Sequence, residues 1–298
     1  MTPALESFTL DRVKHHGWNL PCTPPERIFR YDSNGERYYA TVERTNDTHE
    51  VQWYPSVTAV LKGTSPTPYG LMAWYKKHGD NADIMRDQAA ERGTEIHALM
   101  ADYINGVTID LDTIPTDYVK PLLSFAQFLH DYGVTPLAVE VPVVSTMYGV
   151  AGTIDLVCSL NTPRGREIAI VDFKTGTNFY RDHAVQLAYY REAWNAYVIS
   201  TYQREALMTE GAPIATRIYN VAPKDFRKEP TYSIKEQSDV VTLDELLQRS
   251  ALYALTSPTK PRARTAYAGT LTREGYTTPH PKTTTPEELV ITKYEATV

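Results

Sequence analysis

The chain has 298 residues, of which 42% are hydrophobic and 22% are charged, a composition that can form a substantial hydrophobic core. No run approaches the ~18 apolar residues of a membrane span, and the first residues, MTPALESFTLDRVKHHGW, lack the basic-then-apolar pattern of a signal peptide, so we expect a cytoplasmic protein with no membrane partner. The formal net charge of −6 neither indicates nor excludes a nucleic-acid partner, because a local basic groove can lie on an acidic protein.

The N-terminal region predicts a small β element followed by a helix. RIFRYDSNGERYYATV has two aromatic and β-branched runs around Asn34-Gly35, which is typical of a β-hairpin. YPSVTAVLKGTSPTPYG follows, with Ser and Thr residues that favour a helix cap and a Pro- and Gly-rich end that favours a connector. A helical pattern then extends from Leu71 to about Asn105, with a break near residues 78–80.

The middle of the chain changes its period. A helix is predicted from about Asp117 to Tyr132, ending at Gly133. PLAVEVPVV, VAGTIDLVC and EIAIVDFK then predict three successive strands, and a helix follows from about Arg181 to Tyr197.

The last third predicts two more strands, ATRIYNV and TYSIKE, and a helix in TLDELLQRSALYAL. The order of elements indicates an α/β (α+β) fold with a mixed β-sheet flanked by helices. We divide the chain into an N-terminal β-hairpin extension over residues 1–50, a main domain over 51–256, and a Thr- and Pro-rich, partly flexible tail over 257–298.

The second and third of the three central strands are joined by the short loop NTPRG, which predicts an antiparallel hairpin. If Leu160 pairs with Glu167 beside the loop, Asp155 lies opposite Asp172, and Lys174 shares the face of Asp172. Opposed carboxylates repel by a few tenths to about 1 kcal/mol, whereas a divalent cation such as Mg²⁺ or Mn²⁺ between them turns repulsion into binding. The alternative is a diagonal ion pair between Asp155 and Lys174, with Asp172 capping a turn.

Two helices carry further candidates. In AAERGTEIHALMADYING, His97 recurs with Gly93, Met100 and Ile104 on one apolar stripe, either as a metal ligand or as a hydrogen-bonded core histidine. In HAVQLAYYREAW, Gln186 and Tyr190 are four residues apart and share one face.

The order of these pieces resembles the PD-(D/E)xK nuclease superfamily, and within it the RecB-like exonuclease branch. That branch includes phage exonucleases, the mitochondrial genome maintenance exonuclease and CRISPR-associated RecB-like nucleases, and the resemblance covers roughly residues 53–200. The matching motifs are GT-x-x-H (Gly93, Thr94, His97), G-x-x-D (Gly152, Asp155), D-x-K-T-G (Asp172, Lys174, Thr175, Gly176) and Q-x-x-x-Y (Gln186, Tyr190).

The resemblance implies a restriction-endonuclease-like core and a site that binds one or two Mg²⁺ or Mn²⁺ ions. His97, Asp155, Asp172 and the backbone carbonyl of Phe173 would hold the metal, and Lys174 would orient or activate the attacking water. Gln186 and Tyr190 would position the scissile phosphate or support Lys174. Glu140, on the preceding strand, is either an outer acid of the site or a solvent-facing residue.

The resemblance also implies DNA as the partner. Ser56 and Thr58 match a family segment that contacts DNA phosphate, although they equally fit a helix cap. A strand-gripping surface is predicted from stacking and cationic side chains, with an ordinary amphipathic helix as the alternative; its candidates are Trp74, Tyr75, Lys76 and Lys77. Arg92 is a further DNA-binding candidate.

The chain departs from part of that family. Many RecB-like nucleases carry four cysteines for an iron–sulfur cluster, whereas this chain has only Cys22 and Cys158, so no such cluster is expected and Cys158 is predicted to be a core thiol. No G-x-x-x-x-G-K-[ST] phosphate loop occurs, so DNA unwinding would come from a helicase or recombination protein in trans.

The sequence therefore predicts a metal-dependent DNA exonuclease of phage type, in the host cytoplasm if phage-encoded, acting on single-stranded or end-frayed DNA in replication, recombination or repair. A structure- or sequence-specific endonuclease on the same fold is the first alternative. A DNA-binding adaptor that has lost turnover is the second.

Overall fold

The structure is a computed structural model that describes residues 28–33, 35–45, 48–176, 178–201, 212–226, 228–266, 270–272, 275–277 and 282–296. Cys22 and Asn34, which enter the sequence-based predictions, lie outside the described residues.

The N-terminal β element is a three-stranded antiparallel sheet of β1 (Ile28–Ser33), β2 (Glu36–Thr45) and β3 (Thr48–Pro55). Ser33 pairs with Glu36, and Gly35 between them has φ 76°, a left-handed conformation that favours glycine. The predicted hairpin is confirmed. Strand β3 continues through position 50, where we divided the chain.

Four helices follow this sheet: α1 (Val57–Thr64), α2 (Tyr69–His78), α3 (Asn81–Ile104) and α4 (Thr116–Asp131). The side chain of Ser56 accepts a hydrogen bond from the Ala59 N–H and caps α1. The predicted break near residues 78–80 is confirmed, because the chain turns at Gly79 (φ 54°) between α2 and α3.

The central sheet has the order β4-β5-β6-β7-β8. Its strands are β4 (Thr135–Ser145), β5 (Val150–Thr162), β6 (Gly165–Phe173), β7 (Arg217–Pro223) and β8 (Tyr232–Glu236). Strands β6 and β7 are parallel and are joined through helix α5 (Arg181–Thr201), whereas the other neighbours are antiparallel. The predicted α+β class, with a mixed sheet flanked by helices, is confirmed.

The central sheet separates two hydrophobic layers. Alternate residues of a strand point to opposite faces, so Val157 and Ile170 pack with α5, whereas Leu156 and Val171 pack with α3 and α4. Phe173, the last residue of β6, is buried in the second layer. The alternation therefore turns Asp172 toward the α5 side.

The C-terminal third adds helix α6 (Leu243–Thr256), the short strands β9 (Arg264–Ala266), β10 (Thr270–Thr272), β11 (Gly275–Thr277) and β12 (Lys282–Thr284), and helix α7 (Pro286–Glu295). Helix α7 begins with a complete capping box between Thr285 and Glu288. Its Val290 and Tyr294 pack against Ala40 and Val42 of β2. The end of the tail thus supports the N-terminal sheet, an arrangement that the sequence did not predict.

Cys158 is a free thiol with no exposed surface, as predicted, and burial raises its pKa. Within the part of the chain that the structure describes, none of the helices has the length and apolar character needed to cross a membrane.

A polar cluster at the β5–β6 loop predicts an acid-sensitive contribution to stability. Burial alone would raise the pKa of Glu167, but hydrogen bonds from Arg164, Arg217 and Thr162 outweigh it and lower the pKa from 4.5 to about 2. A depressed carboxylate pKa contributes stability that is complete above about pH 4.5 and is lost as the pH falls toward 2. We therefore expect Glu167→Gln to be less stable than wild type at pH 6, with a difference that narrows between pH 4.5 and 2.

Urea unfolding of both proteins at several pH values measures this difference. Glu229→Gln, which changes an exposed carboxylate, is the matched control and should follow wild type. A Glu167→Gln difference that does not depend on pH would contradict the ion-pair origin of the effect.

Candidate metal centre

A cleft of about 740 Å³ lies between the N-terminal sheet, α3, α5 and strands β4–β6. Its lining includes all of the residues that the sequence predicted as acidic or basic centres of the site: His97, Glu140, Asp155, Asp172 and Lys174. Gln186 and Tyr190 line the same cleft. The structure therefore brings together side chains from distant parts of the sequence.

The register of the β5–β6 hairpin is the one predicted. Leu160 pairs with Glu167 and Leu156 with Val171, so the next position outward places Asp155 opposite Asp172. Asp155 Oδ2 accepts a hydrogen bond of 2.7 Å from the Phe173 N–H. This hydrogen bond between the carboxylate and the backbone fixes Asp155 at the end of β6.

A hydrogen-bonded chain connects β6 to α5. Lys174 Nζ donates to Asp172, at 2.9 Å from Oδ1 and 2.7 Å from Oδ2, and to Gln186 Oε1 at 3.0 Å. Gln186 Nε2 in turn donates to the Tyr190 hydroxyl at 3.0 Å. The i, i+4 spacing of Gln186 and Tyr190 on α5 thus serves to hold the lysine, and the ion pair of Lys174 is with Asp172 and not with Asp155.

Gly152 accounts for the close approach of β5 and α5. A Cβ atom at Gly152 would lie 2.4 Å from a ring carbon of Tyr190 and 2.9 Å from its hydroxyl oxygen, distances that packed atoms do not adopt. A Cβ at Gly93 would be 3.5 Å from Thr175 Oγ1, which is an ordinary contact. Of these two motif glycines, only Gly152 is therefore required by space.

Among the described residues, His97, Glu140 and Asp155 form a group whose ligand atoms are close enough together to hold a metal ion. One ligand atom from each lies within 4.8 Å of the others, and His97 Nδ1 is 3.5 Å from Asp155 Oδ1. Glu140 takes the position on β4 opposite Asp155 and has φ 49°, a left-handed conformation that is unfavourable for a side chain with a Cβ. The structure thus places Glu140, whose role the sequence left open, beside the predicted ligands.

Asp172 is adjacent to this group but is differently engaged. It is 2% exposed, and its oxygens accept from Lys174 and, at 2.7 Å, from Asn220 Nδ2. A carboxylate has about four lone-pair sites, so these hydrogen bonds leave one site on Oδ1 for a further partner.

The electrostatics of the cleft reflect crowded negative charge. Burial alone would lower the pKa of His97, but Asp155, Asp172 and Glu140 outweigh it and raise the pKa to about 9. Burial and the charge of Asp155 raise the pKa of Glu140 to about 7, and burial raises the pKa of Asp172 to about 6 against the effect of Lys174. Burial would also raise the pKa of Asp155, but His97 outweighs it and lowers that pKa. The three carboxylates therefore face two cations, Lys174 and a protonated His97.

The donor set fits a divalent cation. Carboxylate oxygens are the ligands that Mg²⁺ and Mn²⁺ prefer, and imidazole is a common additional ligand for transition metals. His97, Glu140 and Asp155 face an open cleft, which leaves room for water and substrate beside an ion.

Two buried residues that the sequence did not reveal hold Asp172 from behind. Asn220 on β7 lies beside Asp172 in the parallel register and donates to it, while Asn220 Oδ1 accepts from Gln237 Nε2 at 3.1 Å. The donor and acceptor of each of these hydrogen bonds are fixed, because the ionised carboxylate of Asp172 can only accept hydrogen bonds. Gln237 Oε1 is buried and has no hydrogen-bond partner among the described residues.

The N-terminal sheet also contributes to the cleft, which the sequence did not predict. Arg30, Arg37 and Tyr39 line it, and the Tyr39 and Thr153 hydroxyls share a hydrogen bond of 3.0 Å. No local pattern could have placed these residues, because the hydrogen bond joins two sheets that are far apart in sequence.

The predicted DNA-binding residues lie in different parts of the structure. Ser56 and Thr58 line the cleft, although Ser56 is 3% exposed and also caps α1. Arg92 is bound to Asp117 of α4 at 2.6 Å. Trp74 packs against Tyr75 and His78 on α2, and the neighbouring lysines of that helix, Lys76 and Lys77, are exposed.

No protein-family model matches the chain, and no curated protein matches it. The family resemblance therefore depends on the motif residues themselves and stays a prediction.

Alanine substitutions of Gly152 and Gly93 are expected to change the stability in opposite directions. Gly152→Ala forces Tyr190 to move, and we expect overpacking to lower the free energy of unfolding by about 1–3 kcal/mol. Gly93→Ala lies inside α3 with space for a methyl group, and we expect an increase of up to about 1 kcal/mol. Urea unfolding of both variants measures the changes; a loss of stability in both would contradict the packing argument.

Substitutions of Asn220 and Gln237, which support Asp172, are expected to lower the stability by different amounts. Asn220→Ala removes a donor from Asp172 and leaves Gln237 Nε2 without its acceptor, so we expect a loss of about 2–4 kcal/mol. Gln237→Leu leaves Asn220 Oδ1 without its donor but also removes an oxygen that is already unsatisfied among the described residues, so we expect a smaller loss, of about 1 kcal/mol. Equal losses in the two variants, measured by urea unfolding, would contradict the direction assigned to the chain.

Proposed function

We propose that the protein is a metal-dependent DNA exonuclease that hydrolyses phosphodiester bonds of single-stranded or end-frayed DNA, and that it belongs to the RecB-like branch of the PD-(D/E)xK nucleases. The observation that carries the proposal is the convergence of Asp155, Asp172 and Lys174 with His97 and Glu140 in one open cleft. Packing alone does not favour this arrangement, because it gathers three carboxylates, a lysine and a histidine in one partly desolvated cleft.

In this proposal His97, Glu140 and Asp155 hold a Mg²⁺ or Mn²⁺ ion, with Asp172 as the further oxygen ligand. When bound, such an ion neutralises charge on phosphoryl oxygens and makes a water more acidic. Asp172 has one free lone-pair site for this purpose, and its ion pair with Lys174 keeps it in place. Phe173 contributes through its N–H, which orients Asp155.

Lys174 is the group that serves the reacting water or phosphate. Both oxygens of Asp172 and the amide oxygen of Gln186 hold its ammonium in the lining of the cleft. Tyr190 holds Gln186 from the other side, and burial raises the pKa of Tyr190 so that its hydroxyl stays neutral. Gln186 and Tyr190 thus support the lysine.

The biological setting is part of the same proposal. We infer a cytoplasmic protein, of phage type, that acts in replication, recombination or repair, with any unwinding of DNA supplied by a helicase or recombination protein in trans.

The test is cleavage of end-labelled linear and covalently closed circular single-stranded DNA with Mg²⁺, Mn²⁺ or EDTA. We expect metal-dependent cleavage of the linear substrate only, reduced about 10²–10⁴-fold by Asp172→Asn and by Lys174→Ala. Asp112→Asn, an exposed position on the loop between α3 and α4, is the matched control and should cleave like wild type.

Binding of Mn²⁺, measured by titration calorimetry, separates the parts of the proposal. Cleavage of the circle would establish an endonuclease instead, and DNA binding without metal-dependent cleavage would leave a DNA-binding adaptor. A wild-type chain that binds neither Mn²⁺ nor DNA would contradict the proposal as a whole.

A further inference from the structure

We propose that the N-terminal sheet and helix α1 form a binding subsite for the phosphodiester backbone of the substrate strand, with Arg30, Arg37 and Lys62 as its cations. This inference rests on the proposed function, and it goes further by assigning the face of the protein along which the strand leaves the metal centre.

The first support is a continuous groove. A second cavity, of about 510 Å³, lies between the β1–β2 turn, α1 and the end of α6. It shares Arg37, Ser56 and Thr58 with the cleft of the metal centre. The two cavities therefore meet at these residues and lead from the carboxylates to the exposed face of α1.

The second support is the placement of the arginines. Asp32 pairs across the sheet with Arg37, and Arg30 lies two positions before Asp32, so all three side chains share one sheet face. Tyr39, opposite Arg30, shares that face and bonds to Thr153. The face that carries the arginines is thus the one turned toward the cleft.

The third support is the way in which these charges are balanced. Arg30 Nε is 3.0 Å from Asp32 Oδ2 and Arg37 Nε is 3.1 Å from Asp32 Oδ1, so two guanidinium groups share one carboxylate. Exposed ion pairs of this kind contribute little to stability because both groups stay hydrated. A phosphate can therefore compete for the arginines, whose planar forks match its oxygens.

Lys62 extends the line of positive charge. It lies four residues after Thr58 on α1, so both side chains project from one side of that helix, and both line the second cavity. Lys62 is exposed and forms no ion pair with the side chains that the structure describes. The groove thus offers three cations to a polyanion, beside the carboxylates of Asp32, which the arginines share, and Glu36, which accepts from the Tyr38 hydroxyl.

This DNA-binding groove differs from the strand-gripping surface that the sequence predicted. Trp74, Lys76 and Lys77 project from α2, whereas the two connected cavities are lined by the N-terminal sheet, α1 and α6. The two faces can be tested against each other, because each carries its own pair of cations.

The experiment measures binding of a fluorescent single-stranded oligonucleotide to the full chain by anisotropy, in EDTA and over a range of salt concentrations. We expect Arg30→Ala/Arg37→Ala to weaken binding about 10-fold or more and to reduce the slope of log K against log salt by roughly one for each phosphate that the variant no longer neutralises. Lys62→Ala should act in the same direction. With Mg²⁺, these variants should raise KM more than they lower kcat.

A variant that removes the competing carboxylate distinguishes loss of the subsite from loss of the folded structure. Asp32→Asn frees both guanidinium groups, so we expect it to strengthen binding by about 2–5-fold, a gain that a misfolded protein would not show. Arg44→Ala, an exposed arginine near the other end of β2, is the matched control and should bind like wild type.

The outcomes are distinct. Binding of the double arginine variant within two-fold of wild type, together with a large loss in Lys76→Ala/Lys77→Ala, would overturn the subsite in favour of α2. An equal loss in Arg44→Ala would overturn it in favour of a general charge effect. If wild type cleaves DNA while the groove variants match it, the subsite alone fails; if wild type neither binds nor cleaves DNA, the proposed function fails and the subsite with it.

Discussion

The burial of the Asp172 carboxylate is the constraint on which the rest of the cleft depends. A carboxylate that is 2% exposed loses its hydration and must recover it from donors within the protein. Lys174 and Asn220 provide them, and each donor then needs its own support from α5 or from Gln237. The position of one aspartate thus determines side chains on α5 and β7 and in the segments that follow β6 and β8, and it is stabilising only while all of its partners remain.

Backbone strain lies close to this buried carboxylate. Asp155 occupies the end of the hairpin next to Asp172 and is held there by the Phe173 N–H, so it cannot move away from its neighbour. Glu140 comes from the adjacent strand with φ 49°, which for a non-glycine residue costs on the order of 1–2 kcal/mol. Folding therefore concentrates negative charge and backbone strain at one end of the sheet.

Sequence reasoning succeeded where the information was local. The short loop and the strict alternation of β5 and β6 were sufficient for the register that places Asp155 opposite Asp172, and the 3.6-residue period placed Gln186 and Tyr190 together. Asn220 was out of reach because its parallel pairing with β6 is formed across α5, 48 residues later in the chain. Helix α7 was also missed, although its capping box stands in the sequence as TPEE, because its apolar partners lie in the N-terminal sheet.

The two sheets place opposite charges in the same cleft. The central sheet carries the carboxylates of Glu140, Asp155 and Asp172, which form the floor of the cleft, and the N-terminal sheet carries Arg30 and Arg37, which form its wall. A phosphodiester attracted by the wall would meet repulsion at the floor, because like charges at short range oppose each other in a partly desolvated cleft. In the proposed function, a divalent cation bound by these carboxylates would reverse that repulsion at one point. The arginines would then retain the strand while the metal centre selects one phosphate. Such a division of roles would need the two sheets to keep their relative position, to which the Tyr39–Thr153 hydrogen bond and the bridge between Ser56 and Ala151 contribute.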